Sequence, residues 1–322
     1  MQPFKVFSFL LVLLLSACGD PDLDRIEQQL PITKNRVQQL EQALSDGQIK
    51  NAALISQYAQ KIKDAKPELS DVVNIIARDA TAQGPLYQAL SQRIDQVENM
   101  PQLFLDNSER FQELVDIYEA ADPILFSDAL SDPLNVLADM SDGLLPRVNA
   151  LSKSQSMQAN GAQDFGVGEQ LIGNPSYGQW TQGSNGLSFW EWYGMYALMD
   201  NLFGSRRVYY NNWGRYRNYS YYNDIGRTRY TSPSSLRKQV SLDNRTRKSF
   251  ASKGQKFNSA YAKNRTGASS ISSKSRAAQT SANRFQKAST NKSSFASKSN
   301  TQRNASFRNS RSNTSRGTRR GK

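Results

Sequence analysis

Leu23, Ile26, Leu30, Val37, Leu40 and Leu44 recur at alternating steps of three and four, with Thr33 in the one gap. This spacing puts a single apolar stripe on one face and predicts a helix across about three heptads. Pro31 falls inside the stripe, where the missing N–H would start or kink a helix. Ser45-Asp46-Gly47 then supplies a turn. A second seam runs through Ile55, Tyr58, Ile62, Ala65, Leu69, Val72 and Ile76. Leu86, Leu90, Ile94 and Val97 resume the pattern after the Gly84-Pro85 break. Asp122-Pro123 and Asp132-Pro133 each read as an N-cap followed by proline at the first helical position. The chain is therefore expected to be mainly α, with residues 18–155 forming a small antiparallel helical bundle of about five to seven short helices. Prolines and glycines break the seams, so the stripes suit a bundle core better than a long coiled coil between chains.

The periodicity stops near residue 155. Residues 156–186 are rich in Gly, Gln, Asn and Ser and read as a linker, without the spacing of a nucleophile elbow or a phosphate loop. Residues 187–232 form an aromatic block. All four tryptophans, Trp180, Trp190, Trp192 and Trp213, lie within this block or just before it. Its first part, Leu187 to Phe203, is apolar nearly all round as a helix, which suits either an interfacial segment or a core helix packed on the bundle. Its second part interleaves tyrosines with arginines, and short strands from Arg215 to Tyr222 are compatible with the flanking turn residues. Residues 233–322 are dominated by Ser, Asn, Lys, Arg, Gln and Thr. Ten of these 90 residues are large and apolar, too few to offset chain entropy, so a disordered basic tail is expected.

At the other end, Lys5 precedes the apolar run Val6 to Leu15, which is too short to span a bilayer as a permanent helix. Leu15-Ser16-Ala17-Cys18 follows, ending on the only cysteine. This segment resembles the lipobox of bacterial lipoprotein precursors. The resemblance covers residues 1 to about 20, and no domain family is recognised beyond it. It implies that residues 1–17 are a cleaved signal peptide and that Cys18 carries a diacylglyceryl thioether and an N-acyl (palmitate-type) chain. Gly19 rather than aspartate after the cysteine implies sorting to the outer membrane. Two or three acyl chains together make a lasting lipid anchor.

Composition then removes whole classes of chemistry. The chain has no histidine, and its one cysteine is assigned to lipid. Ser-His and Cys-His nucleophile pairs, thiolate or imidazole metal sites and disulfides are excluded. Asp122, Asp128, Asp132, Asp139 and Asp142 do not follow the calcium-loop spacing, so no metal, cofactor or catalytic residue is assigned.

Charge adds the main functional clue. Residues 18–200 carry 12 Lys/Arg against 26 Asp/Glu, whereas residues 201–322 carry 28 against 2. An acidic body with a basic arm points to an anionic partner. The candidate anion-binding residues are Arg206, Arg207, Arg215, Arg217, Arg227, Arg229, Arg319 and Arg320. The candidate aromatic contacts are Trp190, Trp192, Trp213, Tyr216 and Tyr221, because stacking plus ion pairing suits sugars, phosphates or unpaired bases. The function expected is that of a non-enzymatic envelope lipoprotein. Its arm would bind peptidoglycan, lipopolysaccharide, anionic lipid or nucleic acid. Two alternatives stand beside it: a peptidoglycan-active enzyme using a carboxylate in the helical body, and a self-associating scaffold whose basic tail binds its own acidic bundle.

Overall fold

The computed structural model describes residues 20–202, 207–261 and 265–278. The signal segment with Cys18, Arg206, Arg319 and Arg320 lies outside the described residues. The chain is mainly helical, as its periodicity predicts.

Helix α1 (Pro21–Ser45) starts at Asp20, whose side chain accepts from the Asp22 N–H. It runs through Pro31 without a break and buries Ile26, Thr33, Val37, Leu40 and Leu44. Proline costs one backbone hydrogen bond there, but the stripe on both sides stays packed. The polar member of the stripe is paired: the Thr33 hydroxyl donates to the Leu114 carbonyl at 3.2 Å. The second seam divides at Lys66-Pro67 into α2 (Lys50–Ala65) and α3 (Ser70–Ala77). Beyond it lie α4 (Pro85–Asn99), α5 (Asn107–Ala120), α6 (Pro123–Ala129) and α7 (Ser131–Met140).

Helices α1 and α4 are antiparallel, with Lys34 meeting Glu98 and Tyr87 meeting Glu41. Helices α1 and α5 instead run in the same direction: Asp20 meets Asn107, and Arg25 lies over Phe111. Asp122 caps α6 as expected, accepting from the Ile124 and Leu125 N–H groups. Asp132 does not cap α7. It sits in the first turn of that helix and accepts the backbone N–H of Tyr221 and Tyr222 at 2.7 and 2.8 Å.

The remainder is as much a part of the fold as the bundle, which corrects four expectations. The segment expected as a linker holds α8 (Lys153–Asn160), the first strand of a hairpin and the buried Leu171, Ile172 and Tyr177. The segment expected as an apolar helix forms strand β2 (Ser188–Trp192), paired antiparallel with β1 (Gly178–Gln182), then a 3-10 turn (Gly194–Leu198) and the short α9 (Met199–Leu202). Bulky residues at alternate positions bury Trp190 and Trp192 on one side of the strand while Glu191 points out. Among the described residues no helix is long and apolar enough to cross a membrane. The Tyr/Arg stretch is also helical, not stranded: α10 (Tyr210–Tyr216) precedes a π-turn (Tyr222–Gly226).

Fourth, the basic tail does not begin at residue 233. Ser232 caps α11 (Pro233–Ala251) through a bond to the Ser235 N–H, and residues 273–278 are helical again. Leu242, Phe257 and Ile271 join the same hydrophobic core as Ile26 and Leu40. Counting the tail's own apolar residues missed this, because the surface they bury against is supplied by the N-terminal half. Ser272 and Ser275 donate to Asp128, Lys274 reaches Asp122, and Arg237 pairs with Glu109. Residues 279–322 lie outside the described residues.

Candidate functional site

The five aromatic residues expected as a contact surface are mostly interior. Trp190, Trp192, Trp213 and Tyr221 are buried, and Tyr216 is half-buried. Trp180 is the hub, meeting Trp190, Tyr210 and Trp213 at centroid distances of 5.2, 5.0 and 5.1 Å. Trp213 contacts Tyr261, and Tyr210 contacts Phe257. The edge-to-face contacts among these, Trp180–Trp190, Trp180–Tyr210 and Trp213–Tyr261, add about 0.5–1.5 kcal/mol each beyond area burial. The cluster therefore ties the hairpin, α10 and the chain after α11 into one layer.

The arginines divide into two sets. Arg217 is 1% exposed and forms a two-pronged pair with Asp224 at 2.7 and 2.9 Å, plus bonds to the Ala260 and Asn218 carbonyls. Arg229 is equally buried, donates to the Ile225 carbonyl, and has its own carbonyl held by Arg93 at 2.6 Å. Buried guanidinium groups held in this way organise the interior and cannot meet a polymer. Arg227 is half-buried, stacks 3.6 Å over Tyr261 and donates to Gln239. Arg207 and Arg215 are exposed, over Phe189 and Tyr216 respectively.

The acidic residues divide as well. Asp79 is 1% exposed and accepts from Tyr177 and Tyr196 at 2.7 and 2.8 Å. Burial pushes its carboxyl up to about 7, against the pull of the two tyrosine hydroxyls. Burial likewise raises Asp132 to about 7, opposed by the N–H groups of Tyr222 and Tyr221. Such values suit general acid–base work, but both carboxyls sit in the interior and each is used to join the bundle to the C-terminal region. The aspartates considered for calcium are dispersed: Asp139 pairs with Arg147, Asp142 with Lys66, and Asp122 with Arg36 and Lys274. Among the described residues no group of three or more metal-ligating side chains converges.

Among the described residues a cavity lies between the hairpin and α11. It encloses about 340 Å³, near the lower end of the roughly 300–1,000 Å³ of small-molecule sites. Ser235, Lys238, Ser241, Leu242 and Arg245 line it from one helix, spaced so that they share a face. Lys238 and Arg245 are seven residues apart, which sets them about 10 Å apart along the axis. Opposite stand Gln179, Trp180, Trp190 and Tyr193. Gly173 and Gly178 complete the wall. Gly173 has φ +88°, and a Cβ there would meet the Trp213 ring at 2.8 Å. A Cβ on Gly178 would lie 2.3 Å from the Glu191 carbonyl, so the hairpin closes only with glycine.

The electrostatics of this cleft are one-sided. Two cations line it and no carboxylate does. Lys238 and Ser241 have no hydrogen bond or ion pair among the described residues, while Arg245 donates to Gln182 at 3.2 Å. The indole N–H groups of Trp180 and Trp190 are buried without an acceptor among the described residues. None of Lys238, Ser241, Arg245, Gln179 and Tyr193 stands out in the sequence. The signal that was present is Ser232-Pro233, the same cap-and-proline pair that correctly marks α6, which places these residues on a helix face. Comparison with protein-family models, curated proteins and solved structures finds no match to this chain.

Proposed function

We propose that this protein is a non-enzymatic lipoprotein of the bacterial cell envelope, tethered through acylated Cys18 at the outer membrane, whose basic C-terminal region binds an anionic envelope polymer. The observation that supports this reading best is the division of charge within the basic half. Arg217, Arg229, Arg237 and Lys274 are used inside the molecule. Lys238, Arg245, Lys248, Lys253 and Lys256 are exposed and pair with no carboxylate among the described residues. By sequence, eleven more Lys/Arg and no Asp/Glu follow over residues 279–322, Arg319 and Arg320 among them. A set of unpaired cations followed in sequence by a cationic segment attracts polyanions through a salt-screened field.

The test is co-sedimentation of the full chain with peptidoglycan sacculi, lipopolysaccharide, anionic vesicles and DNA across about 50–500 mM salt. Retention by one envelope polymer should fall steeply and in proportion to log salt. Replacing all eleven arm cations with glutamine should reduce it strongly. Cys18→Ser should release the protein from membranes without changing polymer retention. Retention that ignores salt, or that survives loss of the arm charges, contradicts the reading.

A second reading draws on the pairing of acidic and basic halves within one chain. Contacts such as Arg237–Glu109 and Lys274–Asp122 are of a kind that neighbouring molecules can exchange, giving self-association. Molar mass by light scattering at low and high salt separates the two, since exchange yields dimers that high salt disperses.

A further inference from the structure

We infer that the cleft between the β1–β2 hairpin and α11 is a binding site for a saccharide unit carrying a carboxylate or phosphate group. The inference deepens the envelope-binding reading, on which it rests for where such a ligand would be met. It follows from the lining itself. Lys238 and Arg245 line a cavity with no carboxylate, so the site favours an anionic group and leaves both cations unneutralised without it. Arg245 offers a planar fork and Lys238 a mobile ammonium, the two donors best suited to carboxylate or phosphate oxygens. Both flank the Ser241 hydroxyl, which has no partner among the described residues and can bond a ligand hydroxyl.

The opposite wall is chemically different. Trp180, Trp190 and the exposed Tyr193 present ring surface, the partner that sugar C–H faces prefer in water. A planar base fits less well. Trp180 and Trp190 meet at 66° instead of lying parallel, so they form no two-sided slot in which a base could stack. The hydroxyl, ammonium and guanidinium on one side with rings on the other match a polar ring that is apolar on one face and charged at one substituent.

Rigidity supports a formed site. The Trp180 ring is held by three aromatic neighbours, and Gln239 at the cleft edge is fixed by Gly173, Tyr222 and Arg227. Little ordering is then left for binding itself, which favours affinity for a small ligand.

The test uses the full chain in detergent and three soluble probes: disaccharide-peptide fragments of peptidoglycan, delipidated lipopolysaccharide core oligosaccharide, and a neutral N-acetylglucosamine oligomer. Calorimetry and tryptophan fluorescence should show saturable one-to-one binding of one acidic probe, about ten-fold or more tighter than the neutral oligomer. Which acidic probe binds identifies the source. Lys238→Glu should weaken that binding about ten-fold or more, and Ser241→Tyr should block it by filling the cleft. Both should leave the melting temperature nearly unchanged, because neither side chain has an internal partner. The full chain with its eleven arm cations replaced by glutamine should keep fragment binding while losing polymer retention. Failure of both acidic probes to saturate, equal affinity for the neutral oligomer, or unchanged affinity in Lys238→Glu and Ser241→Tyr each overturns the site. If salt-dependent polymer retention persists in that event, the envelope-binding reading stands without the cleft; if retention is absent too, both fall.

Discussion

The bundle of residues 20–140 and the region from residue 161 to 278 are held together by different physics. In the bundle, aliphatic side chains at helical spacing do most of the work: Leu40, Ile55, Val73, Ile76, Leu90, Leu114, Ile117 and Leu137 are fully buried or nearly so. The C-terminal region has few aliphatic residues. It is built on an aromatic cluster around Trp180, on the Arg217–Asp224 pair, and on the bundle carboxylates Asp79, Asp128 and Asp132 that receive its hydroxyl and backbone donors. The difference teaches that an acidic and a basic half in one chain are not automatically a folded body and a free arm. Part of the basic half is the other side of the acidic half's interior.

If that contrast holds, the two regions fail in different ways. The largest expected effect is in the C-terminal region, where Asp224→Ala leaves a buried guanidinium without its carboxylate. A loss of about 3–5 kcal/mol is expected in chemical denaturation. The double variant Arg217→Met with Asp224→Leu should recover much of it, because two apolar groups replace a desolvated pair. A single variant costing as little as a surface change would break the comparison.

In the bundle, Leu90→Ala should cost about 2–5 kcal/mol through lost transfer energy and the cavity left behind. No second substitution at a charged partner should rescue it.

Asp79 sharpens the comparison at the joint between the regions, since Tyr177 and Tyr196 both donate to it. Its folded carboxyl titrates at about 7, above its ordinary value of 3.8. The stability it contributes is therefore whole below about pH 4 and is lost as pH rises through 7. Thermal melts should show stability falling between about pH 4 and 7 and levelling off above that, and Asp79→Asn should flatten that fall by on the order of 1–3 kcal/mol. An unchanged pH profile in Asp79→Asn would show that the carboxyl is not held in a dry interior.

The smallest effect belongs to the partly exposed cross-half pairs. Arg237→Ala or Lys274→Ala should cost about 0–1 kcal/mol, less at high salt, because solvent already screens both partners. A loss of several kcal/mol would mean that surface charge pairing, and not the aromatic layer and buried polar bonds, joins the halves.

The legibility of the sequence follows the same division. The bundle was readable because local periodicity encodes a helix face, and both seams bury most of the residues that defined them. Pro31 misled toward a break because tertiary packing on either side outweighs one lost backbone bond. The hairpin was read as helix because Phe189, Trp190, Trp192 and Tyr193 are all apolar, and a short apolar run carries no period that separates strand from helix. The tail was read as disordered because composition counts only the surface a segment brings. The Asp128–Ser272 and Asp122–Lys274 contacts join residues more than 140 positions apart, and no local pattern announces them. The cleft was missed for the same reason. Its aromatic wall was noticed, but Lys238, Ser241 and Arg245 acquire meaning only when α11 is laid against the hairpin.

Hydrogen–deuterium exchange on the full-length chain tests the central claim most directly: that the basic half, as far as residue 278, belongs to the folded body. Amides of α10, the π-turn and α11 should exchange slowly and, in rising denaturant, lose protection together with those of α1 and α4, as parts of one cooperative unit. Exchange at unstructured-chain rates over residues 210–251, with the bundle still fully protected, would contradict it.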